Sequence, residues 1–191
     1  MHLLKLALFM LPLVTEALAI TVRYPIKHRK PRPHHLRKKS SYHGPGAYYI
    51  ENQATGTALD LYNGDPGPDT LISAYQPVQD NAHQIWQVVA ADAHKQVLII
   101  NSATGAIASC PADADENGEY QLTGGEVAVD GYSLFTMISN KDKSVQFQNV
   151  EDSDLCMDLQ GTDDEDGTPV ICYQCHEQGG AKNQNWILIP A

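Results

Sequence analysis

A closed all-β ring of three repeated units, each of four short strands, is the architecture this 191-residue chain predicts. Three observations carry it. Asn52-Gln53-Ala54-Thr55-Gly56 is echoed 49 positions later by Asn101-Ser102-Ala103-Thr104-Gly105, and Asp60, Ser109 and Asp158 follow at steps of 49. The unit endings repeat too: Gln84-Ile85-Trp86, Ser133-Leu134-Phe135 and Gln184-Asn185-Trp186 fall 49 and then 51 apart. Finally, no stretch shows helical periodicity, whereas short strand-like runs alternate with turn residues throughout. A period of this size, present three times, means three copies of one supersecondary unit, none able to bury its apolar face alone. A seven-stranded sandwich would not explain the period. A pseudo-threefold β-trefoil does, and its closure removes the sheet edges that invite aggregation.

In the first unit, 47–51 reads as a strand, Gly56 as a turn and 58–61 as a second strand. Residues 63–68 are a loop, given their glycines and prolines, and 70–75 and 84–89 complete the unit. The second unit offers strands at 96–100, 106–109, a weak one near 120–122, and 133–138; the third offers 144–149, 155–159, 168–173 and 184–189.

Charge divides the chain further. Residues 1–19 carry Lys5, an apolar run over 6–14 and the small-x-small ending Ala17-Leu18-Ala19, the pattern of a secretory signal peptide. The run is shorter than the roughly 20 residues a membrane span needs. No other stretch could cross a bilayer, so a secreted, extracellular protein without stable membrane insertion is expected. Residues 20–43 hold Arg23, Lys27, Arg29, Lys30, Arg32, Arg37, Lys38 and Lys39, no acid, three prolines and four histidines. Such a segment is an extended basic arm or propeptide. Residues 46–191 form the folded domain. From Gly44 onward four lysines face 22 acidic residues, a net charge of −18 hidden inside the whole-chain value of −10. A domain this acidic repels nucleic acid and anionic lipid.

Two units keep a shared polar and aromatic set: Asp60, Tyr75, His83 and Gln84 in the first, Asp158, Tyr173, Asn183 and Gln184 in the third. The Asp-to-Tyr spacing is 15 in both. A carboxylate, a flat ring and an amide on one surface suit a sugar. The carboxylate accepts charge-assisted hydrogen bonds from neighbouring hydroxyls, the ring covers the C–H face of a pyranose, and the amide both donates and accepts. Strand alternation puts Leu71, Ser73 and Tyr75 on one face, as it does Ile171 and Tyr173. The bland roles for these residues are loop bonding for the acids, backbone satisfaction for the glutamines and barrel cover for the tyrosines.

The segments Gly56-Thr57-Ala58-Leu59-Asp60-Leu61 and Leu155-Cys156-Met157-Asp158-Leu159, with the two Gln-x-Trp endings, resemble the ricin B-chain lectin family over nearly all of 46–190. The resemblance implies a β-trefoil that binds galactose- or N-acetylgalactosamine-type or related glycans and glycoproteins, without a cofactor. It assigns Trp86 and Trp186 to the core. It also implies a Cys156–Cys175 disulfide, whose loop of about 19 residues is worth roughly 3 kcal/mol by loop entropy. Cys110 and Cys172 are small buried residues, or a second bridge if their Cα atoms lie within about 7 Å. The chain departs from the family pattern in having tyrosines where tryptophan often stacks, His83 where Asn is common, and Ile171 where a polar residue is frequent. The second unit, with Ser109, Ser133 and Phe135 in place of the Asp, Gln and Trp, keeps only the frame.

Other chemistries lack their signatures. Cys172-Tyr173-Gln174-Cys175 has the spacing of a redox or zinc pair, but no second pair exists and the setting is a strand. Asp163-Asp164-Glu165-Asp166 lacks the ligand spacing of a calcium loop and reads as a solvated tip. No nucleophile elbow, phosphate-binding glycine loop or metalloprotease helix occurs, so no enzyme is expected. The alternative to a lectin is a secreted β-trefoil protease inhibitor acting through loops 63–69 and 111–119. Oligomeric state stays open.

Overall fold

The computed structural model describes residues 42–92, 95–125 and 129–191. The leader expected at 1–19 and the arm at 20–43, apart from its last two residues, lie outside the described residues.

Each repeat folds into four strands. The first supplies β1 (Gly46–Asn52), β2 (Ala58–Leu61), β3 (Thr70–Tyr75) and β4 (Ile85–Ala90). The second supplies β5 (Gln96–Asn101), β6 (Ile107–Ser109), β7 (Thr123–Gly125) and β8 (Phe135–Ser139). The third supplies β9 (Val145–Asn149), β10 (Leu155–Leu159), β11 (Thr168–Gln174) and β12 (Trp186–Pro190). Antiparallel pairing runs β1–β4–β5–β8–β9–β12 and back to β1, which closes a six-stranded barrel.

Alternation within these six strands fills the barrel. Each sends two residues inward: Tyr48 and Ile50, Trp86 and Val88, Val97 and Ile99, Phe135 and Met137, Val145 and Phe147, Trp186 and Leu188, all buried in one core. The remaining strands form hairpins β2–β3, β6–β7 and β10–β11 that cap one end. They pair with one another through β3–β11, β3–β7 and a Gln121–Ile171 bridge. Ile72, Leu122 and Val170, all fully buried, meet where the three lobes converge; Ile72 N donates to Leu122 O at 3.0 Å and Leu122 N to Val170 O at 2.8 Å.

The repeated sequence signatures have structural causes. Trp86 Nε1 donates to Leu59 O at 2.9 Å and Trp186 Nε1 to Met157 O at 3.0 Å. Each indole therefore fills the barrel and anchors its own lobe's hairpin, leaving no buried N–H unpaired. Asn52, Asn101 and Asn149 tie lobe to lobe: their amides donate to the carbonyls of Asn183, His83 and Tyr132 at 2.8, 2.9 and 2.8 Å. Their Oδ1 atoms accept from Ala54, Ala103 and Asp152 N–H groups in the turns that follow. Gly56 and Gly105 close two of those turns at φ +80°, a left-handed conformation that costs glycine little.

Two expectations shift. The weak strand near 120–122 lies instead at Thr123–Gly125, because Gln121 and Leu122 are drawn into the cap. Registers locate the cause: Asp60 pairs with Ser73 and Asp158 with Ile171, 13 residues on, whereas Ser109 pairs with Thr123, 14 on. The second repeat carries one extra residue there. The closing strands also start late, since Gln84 and Gln184 end short 3-10 turns, Ala82–Gln84 and Lys182–Gln184, ahead of β4 and β12.

All four cysteines are paired. Cys156–Cys175 forms with Cα atoms 5.0 Å apart, and Cys110–Cys172 joins the second lobe to the third with Cα atoms 5.9 Å apart. The two ends of the Cys-x-x-Cys segment thus belong to different bridges.

Candidate binding site

In the third lobe, β10 carries Asp158 and β11 carries Tyr173 on the same outward surface, while the 3-10 turn before β12 delivers Asn183 and Gln184. Asp158 Oδ1 accepts from Asn183 Nδ2 at 2.8 Å, and Oδ2 from Gln184 Nε2 at 2.9 Å. Gln184 is wholly buried behind the acid. Its Nε2 also donates to Gln174 O at 2.8 Å, and its Oε1 accepts from His176 N at 2.8 Å. That one amide locks the end of β11, the segment after it and the carboxylate into a single unit.

Asp158 is 3% exposed, whereas Tyr173 is 52% exposed, so the acid sits low and the ring is open to solvent at the same depression. Burial pushes the Asp158 carboxyl above its ordinary 3.8; the Gln184 and Asn183 donors and the charge of His176 oppose that rise. The depression these residues share is about 400 Å³, within the range of small-ligand pockets. Its lining also includes Gln160, Ile171 and His176, and, from the second lobe, Glu119 and Tyr120.

The first lobe repeats the skeleton. Gln84, also fully buried, donates through Nε2 to Gln76 O at 3.1 Å and accepts from Val78 N at 2.8 Å. The equivalence with Gln174, His176 and Gln184 is residue for residue. Burial raises the Asp60 carboxyl too, with Gln84's hydrogen bond and His83's charge opposing and Asp166 adding to the rise. His83 takes a different posture from Asn183. Its ring lies against Gly64, where an added Cβ would fall 2.2 Å from His83 Nε2. Tyr75 is 42% exposed.

The second lobe has a larger depression, about 650 Å³, walled by Pro68 and Asp69 of the first lobe and by Ser109, Asp115 and Ser133 of its own. Ser109 and Ser133 stand where the other lobes have acid and amide. Gly125, two beyond Thr123 in register, stands where they have the tyrosine. Ring, acid and amide are all gone from these three positions.

The structure therefore brings Asp158, Tyr173, Asn183 and Gln184 together, and likewise Asp60, His83 and Gln84, with exposed Tyr75 on the strand paired to that of Asp60. Sequence reasoning missed the residues that neighbouring lobes contribute, Glu119 and Tyr120 at the third site and Asp166 at the first. Their only trace in the chain is a loop position just ahead of the third strand of their own lobe. The acidic run at 163–166 is exposed throughout, as a solvated tip is, and also touches the first lobe, since Asp166 Oδ1 accepts from Gln76 N at 2.7 Å. No group of three or more His, Cys, Asp or Glu among the described residues is placed to hold a metal ion.

A closed barrel, a three-hairpin cap and a buried acid braced by a buried glutamine in two of three lobes define a β-trefoil of the lectin type. The chain belongs to the ricin-type β-trefoil lectin domain-like family, whose pattern matches residues 36–120 and 82–173. Among solved structures it resembles the Rhizoctonia solani agglutinin, at 23% identity and TM-score 0.68 over 78% of this chain and 98% of that one. It resembles the Macrolepiota procera ricin B-like lectin in complex with lactose at 18% identity and TM-score 0.61, over 80% and 100%. A designed threefold-symmetric protein, ThreeFoil, matches at 18% identity and TM-score 0.68, over 76% and 99%. No curated protein sequence matches the chain.

Proposed function

We propose that this is a secreted carbohydrate-binding protein that takes galactose- or N-acetylgalactosamine-type or related glycans in its third and first lobes. The observation that carries the reading is Asp158, fixed on two amide donors in a depression that the exposed ring of Tyr173 also lines. Paired sugar hydroxyls donate to the carboxylate, and the ring receives the apolar face of the pyranose. Asn183, with Nδ2 on Asp158, has Oδ1 to offer a hydroxyl. Gln184 and Gln84 act from behind, as positioning residues. In the first lobe Asp60 and Tyr75 play the corresponding parts, with His83 beside them.

Two disulfides suit an oxidising, extracellular setting, in keeping with the leader read at 1–19. Glycoproteins are the natural partners, and two weak sites on one chain gain through avidity. The loop at 111–119 that the inhibitor alternative would use is exposed over 112–118 and shaped by its own turn, with Asp115 Oδ1 accepting from Asn117 N and Glu119 N at 2.8 Å each.

The test is a glycan array followed by titration of the best ligand. Asp158→Ala should weaken binding at the third site by about 1.5–3 kcal/mol, the worth of hydrogen bonds to a charged group. Binding unchanged in both Asp158→Ala and Asp60→Ala would refute the sites.

A further inference from the structure

The third-lobe pocket has a wall that its own repeat does not encode. Cys110–Cys172 staples the start of the second lobe's long loop to β11, and Cys172 N donates to Tyr120 O at 2.8 Å at the loop's other end. Between these anchors the chain turns tightly on Asp115. Its carboxylate accepts from Asn117 N and Glu119 N, and its N–H donates to Glu119 O at 2.8 Å. Gly118, at φ +81°, supplies the left-handed residue the turn requires. Glu119 emerges from this turn over the third lobe, where its Oε1 accepts from Gln160 Nε2. Gln160 lies two residues after Asp158, and Glu119, Gln160 and Asp158 line one depression. The lobe that has lost its own acid, ring and amide thus lends a carboxylate to its neighbour.

We infer that Glu119 is a specificity-determining residue of the third-lobe site, which selects amino or neutral sugars and rejects sugars bearing sulfate or carboxylate. The inference rests on the glycan reading above and deepens it. Asp158 and Glu119 place two carboxylates in one small depression. A sugar ammonium is attracted there, a hydroxyl finds an acceptor, and an anionic substituent meets repulsion that the low position of the pocket screens less than open solvent would. The amide of Gln160 and the Asp115 turn hold the carboxylate in place before any ligand arrives, so little ordering cost falls on binding.

The experiment titrates galactosamine, galactose and galactose 6-sulfate into the full chain carrying Asp60→Ala, so that only the third lobe reports. The expected affinity order is amine, neutral, sulfate. Glu119→Gln, close in size but uncharged, should shrink the amine-to-sulfate ratio about three- to tenfold. Glu116→Gln removes the same charge from the same exposed loop, outside the pocket lining, and should leave that ratio within about twofold if the effect is local rather than a property of the acidic surface. Equal ratios in Glu119→Gln and the parent overturn the inference, as does an equal shift in Glu116→Gln. An Asp60→Ala chain that binds none of the three also overturns it, and wild-type binding of the same probes then decides whether the lectin reading survives. Thermal unfolding of each variant separates a lost carboxylate from a lost fold.

Discussion

The first and third lobes share a skeleton and differ in how they finish it. In both, a fully buried glutamine clamps the end of a strand and braces an acid, and that strand carries an exposed tyrosine. In the third, a second amide from Asn183 fixes the other carboxylate oxygen, and the charge beside Asp158 is that of His176. In the first, His83 rests on Gly64 and acts on Asp60 through charge, while Asp166 of the third lobe opposes it. The packing that makes a lobe is thus separable from the polar detail that makes a site. The second lobe proves the separation, keeping Phe135 in the core and none of the site.

The largest expected effect tests that separation from the packing side. Trp86→Ala and Trp186→Ala each remove a fully buried indole and its hydrogen bond to a hairpin carbonyl. Each should cost about 3–5 kcal/mol in denaturant unfolding, and the two costs should agree closely although their lobes differ as sites. A clear inequality would mean that the third-lobe disulfide or the cross-lobe loop shares the work of the core.

A pH titration sharpens the comparison at the sites. Burial holds both Asp60 and Asp158 above 3.8, so the folded chain keeps these protons at a pH where the unfolded chain has released them. Their contribution to stability is fully present below 3.8 and is lost as pH rises through the raised values. Binding follows the opposite sense, because it uses the carboxylate. On acidification, sugar affinity should fall in a window above pH 3.8, approaching tenfold per pH unit below the folded value, while these two acids favour folding more. Asp115 and Asp142 behave in reverse: hydrogen bonds, led by Glu119 N–H and the Ser144 hydroxyl, lower them, so their support is lost only as pH falls below 3.8. Affinity and circular dichroism measured side by side should therefore separate. Binding that declines only with unfolding would break the account.

How much of this was legible in the chain follows from where the information lies. The 49-residue period reports the barrel because core and turn residues must recur when three lobes pack alike, as Trp86, Phe135 and Trp186 or Asn52 and Asn101 do. The Asp, Tyr, Asn and Gln sets were legible for the same reason, since one lobe brings all four together. The strand near 120–122 was misplaced because a single extra residue before Thr123 breaks the period without breaking any hydrophobic pattern. Glu119, Tyr120 and Asp166 were illegible as site residues because contacts between lobes leave no mark within a repeat. The Cys110–Cys172 bridge spans 62 residues, and only folding brings its ends together.

The smallest expected effect addresses the one position where the two sites differ in residue type within the shared set. The backbone carbonyls of His83 and Asn183 receive the same kind of amide, from Asn101 at 2.9 Å and Asn52 at 2.8 Å, so the chain runs alike at both positions. An asparagine in place of His83 should therefore reach Asp60 as Asn183 reaches Asp158. It would vacate the space over Gly64 and replace a charge interaction with a directed hydrogen bond. His83→Asn in an Asp158→Ala background should tighten first-lobe binding of the array's best ligand by about 0.5–1.5 kcal/mol, the net worth of one hydrogen bond. Weaker binding instead would mean that the imidazole itself meets the sugar, and that the first lobe reads its ligand by a different contact from the third.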